Sequence, residues 1–190
     1  MFPTFPKPLA LGALLLALPG LSFAQQGDAQ ARCQSGEGGF DKQVSACSEV
    51  LDGQPDAAAR LNALVRRAGA HFRGGRTDEA IADISQAIAL APDNATVYRA
   101  RGMMRNARSE HELALADLDK ALELAPGDTG ALRHRAQAYQ ALGQGDKAVA
   151  DYNAILAKDP GYASEFKPAC LSLDEATRQL VLVNWPACDK

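Results

Sequence analysis

The sequence predicts an all-α fold, a solenoid built from repeated helical hairpins. Three observations favour this fold. Residues of the same type recur at an interval of 34 positions. Within each interval, apolar residues lie three or four positions apart, which is typical of amphipathic helices. Aromatic residues make up only 6% of the chain, and its alanine-rich composition suits helices that pack closely together.

The interval of 34 divides the middle of the chain into three units, residues 61–94, 95–128 and 129–162. One helical hairpin cannot bury its apolar face alone, whereas three stacked hairpins can. The predicted first helices of the units span 61–73, 95–108 and 129–142, and the second helices span 78–91, 110–125 and 146–159. The residues that recur on the interval are Ala80, Ala114 and Ala148; Asp83, Asp117 and Asp151; Arg67, Arg101 and Arg135; and Pro92, Pro126 and Pro160.

These recurring residues resemble the pattern of the tetratricopeptide repeat family, which is W-x2-L-G-x2-Y, then A-x3-F, then A, then P. The resemblance covers residues 61–162, although arginine replaces the leucine of the pattern in every unit. The matching residues are Leu64, Ala68, His71, Phe72, Ala80, Ile84, Ala87 and Pro92 in the first unit; Tyr98, Gly102, Ala114, Leu118, Ala121 and Pro126 in the second; and Leu132, Ala136, Tyr139, Ala148, Tyr152 and Pro160 in the third.

Each recurring arginine precedes a recurring aspartate of the same unit by 16 residues. We therefore predict three ion pairs inside the repeats, from the first helix to the second: Arg67–Asp83, Arg101–Asp117 and Arg135–Asp151. Partly buried pairs of this kind would fix the register of the helices. The alternative is a set of surface charges that coincide in sequence without pairing.

Residues 1–24 are predicted to be a signal peptide and not part of the fold. The apolar run 9–18 is too short to span a bilayer, and small residues flank a bulky one at Ser22-Phe23-Ala24. Cleavage is expected between Ala24 and Gln25. The alternative is a hydrophobic N-terminal helix that stays attached. A signal peptide predicts a periplasmic or secreted protein.

An oxidising compartment would make the four cysteines a disulfide framework. Three pairings are possible, and the local one closes short loops at each end of the chain. Each local bond would stabilise the fold by about 3 kcal/mol. A metal site is the rival interpretation, but no pair has C-x-x-C spacing. The locally paired cysteines are Cys33 with Cys47 and Cys170 with Cys188.

The segments that flank the repeats are predicted to cap the solenoid. Residues 25–60 form an N-terminal cap that contains a partial repeat, because 41–56 align without gaps to 78–93. Residues 163–190 form a C-terminal cap with a helix that starts at a capping-box pattern, Ser172-Leu-Asp-Glu175. Trp185 is expected to pack against the last repeat. Alternatively, this helix docks a partner.

Charge is sorted between the two helices of each unit. The first helices with the turns that follow them, 61–77, 95–108 and 129–144, contain ten arginines and no acidic residue, whereas the second helices are acidic. The family resemblance implies that first helices line a concave groove, so the groove would be basic and would hold an acidic peptide segment. The alternative is a solvated basic face. The predicted peptide-binding residues are Arg66, Arg73, Arg99, Met103, Asn106, Arg133, Gln137 and Gln140.

No motif in the sequence predicts catalysis, so the protein is expected not to be an enzyme. His111-Glu112 begins like a zinc-protease motif, but Leu115 stands at the second histidine position. We expect no cofactor and no metal, and the net charge of −3 argues against a nucleic-acid partner. The leading hypothesis is an exported adaptor that binds a partner protein or peptide. The alternatives are a structural subunit of an envelope assembly, using its convex face or C-terminal helix, and a thiol-redox or metal-handling role.

Overall fold

The computed structural model of the 190-residue chain describes residues 23–164, 171–174 and 179–182. Helices dominate this part of the chain, and each packs against the next in sequence. The elements are α1 (Phe23–Ser35), α2 (Phe40–Asp52), α3 (Ala57–Arg73), α4 (Thr77–Leu90), α5 (Ala95–Ala107), α6 (His111–Leu124), α7 (Thr129–Ala141), α8 (Gly145–Lys158), a 3-10 helix (Pro160–Ser164), β1 (Leu171–Asp174) and β2 (Gln179–Leu182).

The predicted solenoid of helical hairpins is confirmed, with repeats α3–α4, α5–α6 and α7–α8. The first helix of each repeat has an N-cap residue whose side chain accepts a hydrogen bond from a backbone N–H of the first turn. These residues are Asp56, Asn94 and Asp128. The turn into each second helix contains one residue with a left-handed backbone. That residue is Gly75 in the first repeat and Gly143 in the third, where glycine tolerates this conformation best.

Small residues let the two helices of a repeat approach closely. Ala68 of α3 and Ala136 of α7 are fully buried, and Gly102 holds the equivalent position of α5. A Cβ atom on Gly102 would lie only 2.6 Å from Cγ of the buried Leu118. Burying a leucine or isoleucine side chain stabilises a fold by roughly 1.5–3 kcal/mol, so these contacts hold each hairpin together.

All three predicted arginine–aspartate pairs are present in the structure. Nε and Nη2 of each arginine donate to the two carboxylate oxygens of the aspartate, at 2.6–2.9 Å. The aspartates Asp83, Asp117 and Asp151 are only 4–5% exposed, so the pairs belong to the interior of the repeats. In the first and third repeats the hydrogen bond that the arginine donates to the aspartate raises the pKa of the arginine.

The same arginines also join each repeat to the unit before it. Nη1 of Arg67 donates to Ser48 and Nη1 of Arg101 donates to Ser85, at 3.0 and 3.2 Å. Nη1 of Arg135 donates to Asp119 at 2.7 Å. One side chain therefore fixes both the hairpin and the stacking of hairpins. We refer to Ser48, Ser85 and Asp119 as the acceptor positions.

The N-terminal segment contains a helical hairpin, α1–α2, and the predicted partial repeat, 41–56, covers most of α2 and the four residues that follow it. Cys33 at the end of α1 forms a disulfide with Cys47 of α2, which is the local pairing. Ala29 and Val50 pack around the bond. Residues 1–22 lie outside the described residues, and the predicted cleavage after Ala24 falls in the first turn of α1.

The predicted C-terminal capping helix is wrong. β1 and β2 pair antiparallel, with Leu171 opposite Leu182, and Ser172 lies inside β1 where it caps no helix. The strand Gln179–Leu182 contains a β-branched residue that favours sheet, and it alternates between faces. Leu180 is buried against α8 and Val181 is exposed. The predictions for Cys170, Cys188 and Trp185 concern residues outside the described ranges.

Candidate binding groove

The first helices α3, α5 and α7 carry all eight predicted groove residues, and three of these line one cavity. Met103 and Asn106 of α5 meet Gln137 of α7 around a volume of about 340 Å³. This volume lies within the usual range for ligand pockets, roughly 300–1,000 Å³. We call this space the groove cavity. Its remaining lining residues are Phe72, Ala107, His111 and His134.

Hydrogen bonds hold the polar side of the groove cavity in place. Nδ2 of Asn106 donates to the backbone oxygen of His134 at 2.8 Å, which ties α5 to α7. Oδ1 of Asn106 lies 3.2 Å from Nδ1 of His111. Nδ1 of His134 lies 3.0 Å from Oε1 of Gln137. The side chains on this rim are therefore positioned before any ligand arrives.

The imidazole of His134 is the titratable group whose pKa the groove changes. Burial lowers its pKa, and the positive charges of Arg133 and Arg99 lower it further. These effects outweigh the hydrogen bond with Gln137, which acts in the opposite direction. His134 is therefore neutral at pH 7 and offers hydrogen bonds without adding a charge to the groove.

Sequence reasoning missed Phe72, His111 and His134 as groove residues. Phe72 stands 34 positions before Asn106, so the repeat period itself could have identified it. His111 and His134 are 23 residues apart in the sequence. Only the packing of α5 against α6 and α7 brings them to one cavity, and no spacing in the sequence signals that.

Two of the predicted arginines, Arg66 and Arg73, form contacts with the N-terminal hairpin. Nη1 of Arg66 donates to the backbone oxygen of Gln34 at 2.9 Å. Nη2 of Arg73 donates to Oε1 of Gln43 at 2.7 Å, and the Arg73 guanidinium lies 5.4 Å from the ring centroid of Phe40. These contacts attach the N-terminal hairpin to the first repeat, so the two arginines stabilise the stacking of these units.

Arg99 is also engaged. Its Nη1 donates to both carboxylate oxygens of Asp128, at 2.8 and 2.9 Å. Asp128 in turn accepts from the backbone nitrogens of Gly130 and Ala131 at the start of α7. Gln140, the last predicted residue, accepts a hydrogen bond from the hydroxyl of Tyr152 at 2.6 Å.

Arg133 differs from the other predicted arginines. Its side chain is exposed, and it forms no hydrogen bond or ion pair with any residue in the described ranges. It lines a small cavity of about 190 Å³ together with Thr129, Gly130, Ile155, Asp159 and Tyr162. The predicted basic stripe is thus reduced to one available cation beside the groove cavity.

Comparison with known proteins agrees with this architecture. A model of the tetratricopeptide repeat matches residues 65–129 and 107–163, which together make up more than half of the chain. The chain belongs to the tetratricopeptide repeat family. No curated protein sequence matches it significantly.

Several solved structures share the fold of this tetratricopeptide repeat protein. A crystal structure of MamA is 21% identical, with a TM-score of 0.63, and the match covers 72% of this chain and 77% of MamA. The second repeat domain of Spaghetti (RPAP3), bound to the HSP90 peptide SRMEEVD, is 24% identical with a TM-score of 0.50. That match covers 52% of this chain and 91% of the other. At these identities the likeness concerns the fold.

Two features of the described residues bear on other classes of function. Among the described residues, no group of three or more His, Cys, Asp or Glu side chains is arranged to hold a metal ion. Within the same residues, no helix has both the length and the apolar character needed to cross a bilayer.

Proposed function

We propose that this protein is an exported adaptor that holds an extended segment of a partner protein in the groove formed by α3, α5 and α7. Proteins of the tetratricopeptide repeat family are generally interaction scaffolds and not enzymes, and the Spaghetti domain was solved with a peptide bound. The observation that carries the proposal is the groove cavity, because it combines an apolar floor with polar side chains already held in place.

The floor and rim of the groove cavity match what an extended segment requires. Phe72, Met103 and Ala107 offer apolar surface, while Asn106 and Gln137 offer amide groups to a peptide backbone. An extended peptide leaves its own N–H and C=O groups unpaired, so amides beside an apolar cavity are suited to bind it.

Export is the second part of the proposal. The Cys33–Cys47 disulfide supports it, because disulfides persist in oxidising compartments and are rare in the cytosol. Intact-mass measurement on protein from its native cell tests it. The mass should correspond to cleavage after Ala24, and non-reducing alkylation should find no free thiol. A full-length mass, or alkylated cysteines, would contradict export with two disulfides.

The groove is tested with a cavity-filling substitution and a matched control. Ala107 lines the groove cavity and is exposed, so A107W should fill the space without disturbing the core. Ala154 is an exposed alanine of α8, a second helix, and A154W makes the same change away from the groove. The native partner is first identified by crosslinking and mass spectrometry, and its binding to each variant is then measured.

The two substitutions separate an adaptor from a structural subunit. Loss of partner binding in A107W with retention in A154W supports the groove. The opposite result supports the second candidate, a subunit that uses its second-helix face. The observation that favours this candidate is that the second helices carry two large apolar side chains that are exposed, Leu90 of α4 at 44% and Leu113 of α6 at 51%.

A further inference from the structure

The repeat period shows why Arg133 has no partner among the described residues. Arg99 and Arg133 are 34 residues apart and hold equivalent positions on α5 and α7. Arg99 binds Asp128. The residue 34 positions after Asp128 is Tyr162, which cannot accept an arginine in the way a carboxylate does. The internal pair of the second repeat is thus absent from the third, and its arginine is left at the surface.

The side chain of Arg133 is exposed and lines a small cavity between α7 and the end of α8. Among the described residues that line its cavity, Asp159 is the acidic one, and its Oδ1 accepts from the backbone nitrogen of Gly161 at 2.9 Å. Tyr162 and Ile155 supply the rest of the wall towards α8. A guanidinium with free N–H groups is suited to a planar carboxylate, which it can bind through two hydrogen bonds.

Arg133 lies next to the groove cavity. Gln137, which lines that cavity, is one helical turn further along α7, and a turn advances about 6 Å. Alternate residues of an extended peptide point to the same side and are about 6.6 Å apart. Two side chains that are two residues apart in a bound segment therefore match the spacing of the cavity and the arginine.

We propose that the groove recognises a segment of a partner in which an apolar side chain and an acidic side chain are two residues apart. The apolar side chain occupies the groove cavity against Phe72, Met103 and Ala107, and the aspartate or glutamate binds Arg133. This inference rests on the proposed function and adds the chemistry of the partner. Charge complementarity with Arg133 selects an acidic side chain over a neutral one.

Short labelled peptides test this spacing by fluorescence anisotropy on the full chain. One peptide carries leucine-threonine-glutamate in an uncharged background, and a second replaces the glutamate by glutamine. A third places glutamate directly after leucine, which turns the acid to the opposite side of an extended chain. The first should bind about tenfold more tightly than either of the others, which corresponds to about 1.4 kcal/mol.

The matched protein variants are R133Q and R60Q. Arg60 is an exposed arginine at the start of α3, two repeats away from α7. R133Q should bind the first two peptides equally, whereas R60Q should keep the tenfold preference. Equal binding of the glutamate and glutamine peptides by the native protein overturns the inference. So does an equal loss in both variants, or no binding of any peptide.

Failure of this inference and failure of the proposed function give different results. If A107W abolishes binding of the native partner but the peptides show no preference for glutamate, the adaptor stands and the spacing rule is wrong. If A107W leaves binding of the native partner intact, the groove is not used and both proposals fail.

Discussion

In each of the three repeats an arginine of the first helix binds a buried aspartate of the second, whereas the N-terminal hairpin has no aspartate at the equivalent position. Ala46 aligns with Asp83 and is fully buried. The Cys33–Cys47 disulfide joins the two helices there instead. The arginine also reaches the preceding unit, so it suits a hairpin with a neighbour on that side. A disulfide joins the two helices of a hairpin without needing a preceding unit, which suits the hairpin at the end of the described array.

At the opposite end of the described array, the β-hairpin packs against the last repeat. The next position in the series of acceptor positions is Asn153 of α8, 34 residues after Asp119. Leu180 of β2 occupies it: its backbone nitrogen donates to Oδ1 of Asn153 at 2.7 Å, and its backbone oxygen accepts from Nδ2 at 3.2 Å. The β-hairpin thus pairs with the position that would otherwise receive the arginine of a further repeat.

Removing a buried aspartate should have the largest effect on stability. Asp117 binds both Arg101 and Arg105 at 2.7 Å, and D117A leaves two partly buried guanidinium groups without their carboxylate. We expect the free energy of unfolding to fall by about 3–4 kcal/mol, measured by urea unfolding with far-UV circular dichroism. The control is D78A, since Asp78 is 76% exposed in its pair with Arg108, and it should cost less than about 1 kcal/mol. Equal losses would contradict a buried structural role.

Removing the disulfide should have a smaller and more local effect. The bond closes a sequence separation of 14 residues, so C33A together with C47A should cost about 3 kcal/mol on the chain-entropy model. Hydrogen exchange should become faster in α1 and α2 while α5–α8 stay protected. The native protein in reductant provides the control and should behave as the variant does. Uniform loss of protection across all helices would show that the hairpin and the repeats unfold as one unit.

The repeats could be predicted from the sequence because their signals are local and periodic. The boundaries of α5 and α7 differ from the predicted ones by at most one residue. The arginine–aspartate pairs could be predicted from the same period. The two residue types are 16 positions apart in all three units, so one contact geometry serves every repeat. The groove residue Phe72 was available from that period too.

The two ends and the groove charges depend on contacts between distant residues, which a single sequence does not display. The helix predicted after Ser172 met all local capping rules, yet Asn153 and Leu180 join across 27 residues and favour a strand. Arg66 and Arg73 were predicted to be available for a ligand because their partners Gln34 and Gln43 are about 30 residues away in the sequence.

Removing the amide at the end of the array should have a moderate effect. N153A leaves the backbone N–H and C=O of Leu180 without these partners, and we expect a loss of about 1–2 kcal/mol in the free energy of unfolding. The matched control is S85A at the equivalent acceptor position. There Arg101 keeps both bonds to Asp117, so the loss should stay near 0.5–1 kcal/mol. Equal losses would mean that the β-hairpin does not depend on Asn153.

The smallest predicted effect is a dependence of stability on pH that arises in the first repeat and not in the other two. The position that faces the buried aspartate holds His71 in the first repeat, Arg105 in the second and Tyr139 in the third. Nδ1 of His71 accepts from Nε of Arg76 at 2.9 Å, so protonation there would break that bond. Burial lowers the pKa of His71, and this outweighs the attraction of Asp83.

Because the folded pKa of His71 lies below the unfolded value of about 6.5, its contribution to stability is present above that pH and is lost as the pH falls through it. The native protein should therefore lose more melting temperature between about pH 7.5 and pH 5 than H71Q, which keeps an acceptor but cannot titrate. His134 also has a lowered pKa, but it is present in both proteins and cancels in the comparison. An identical pH dependence in the two proteins would show that His71 is protonated as easily in the fold as in the unfolded chain.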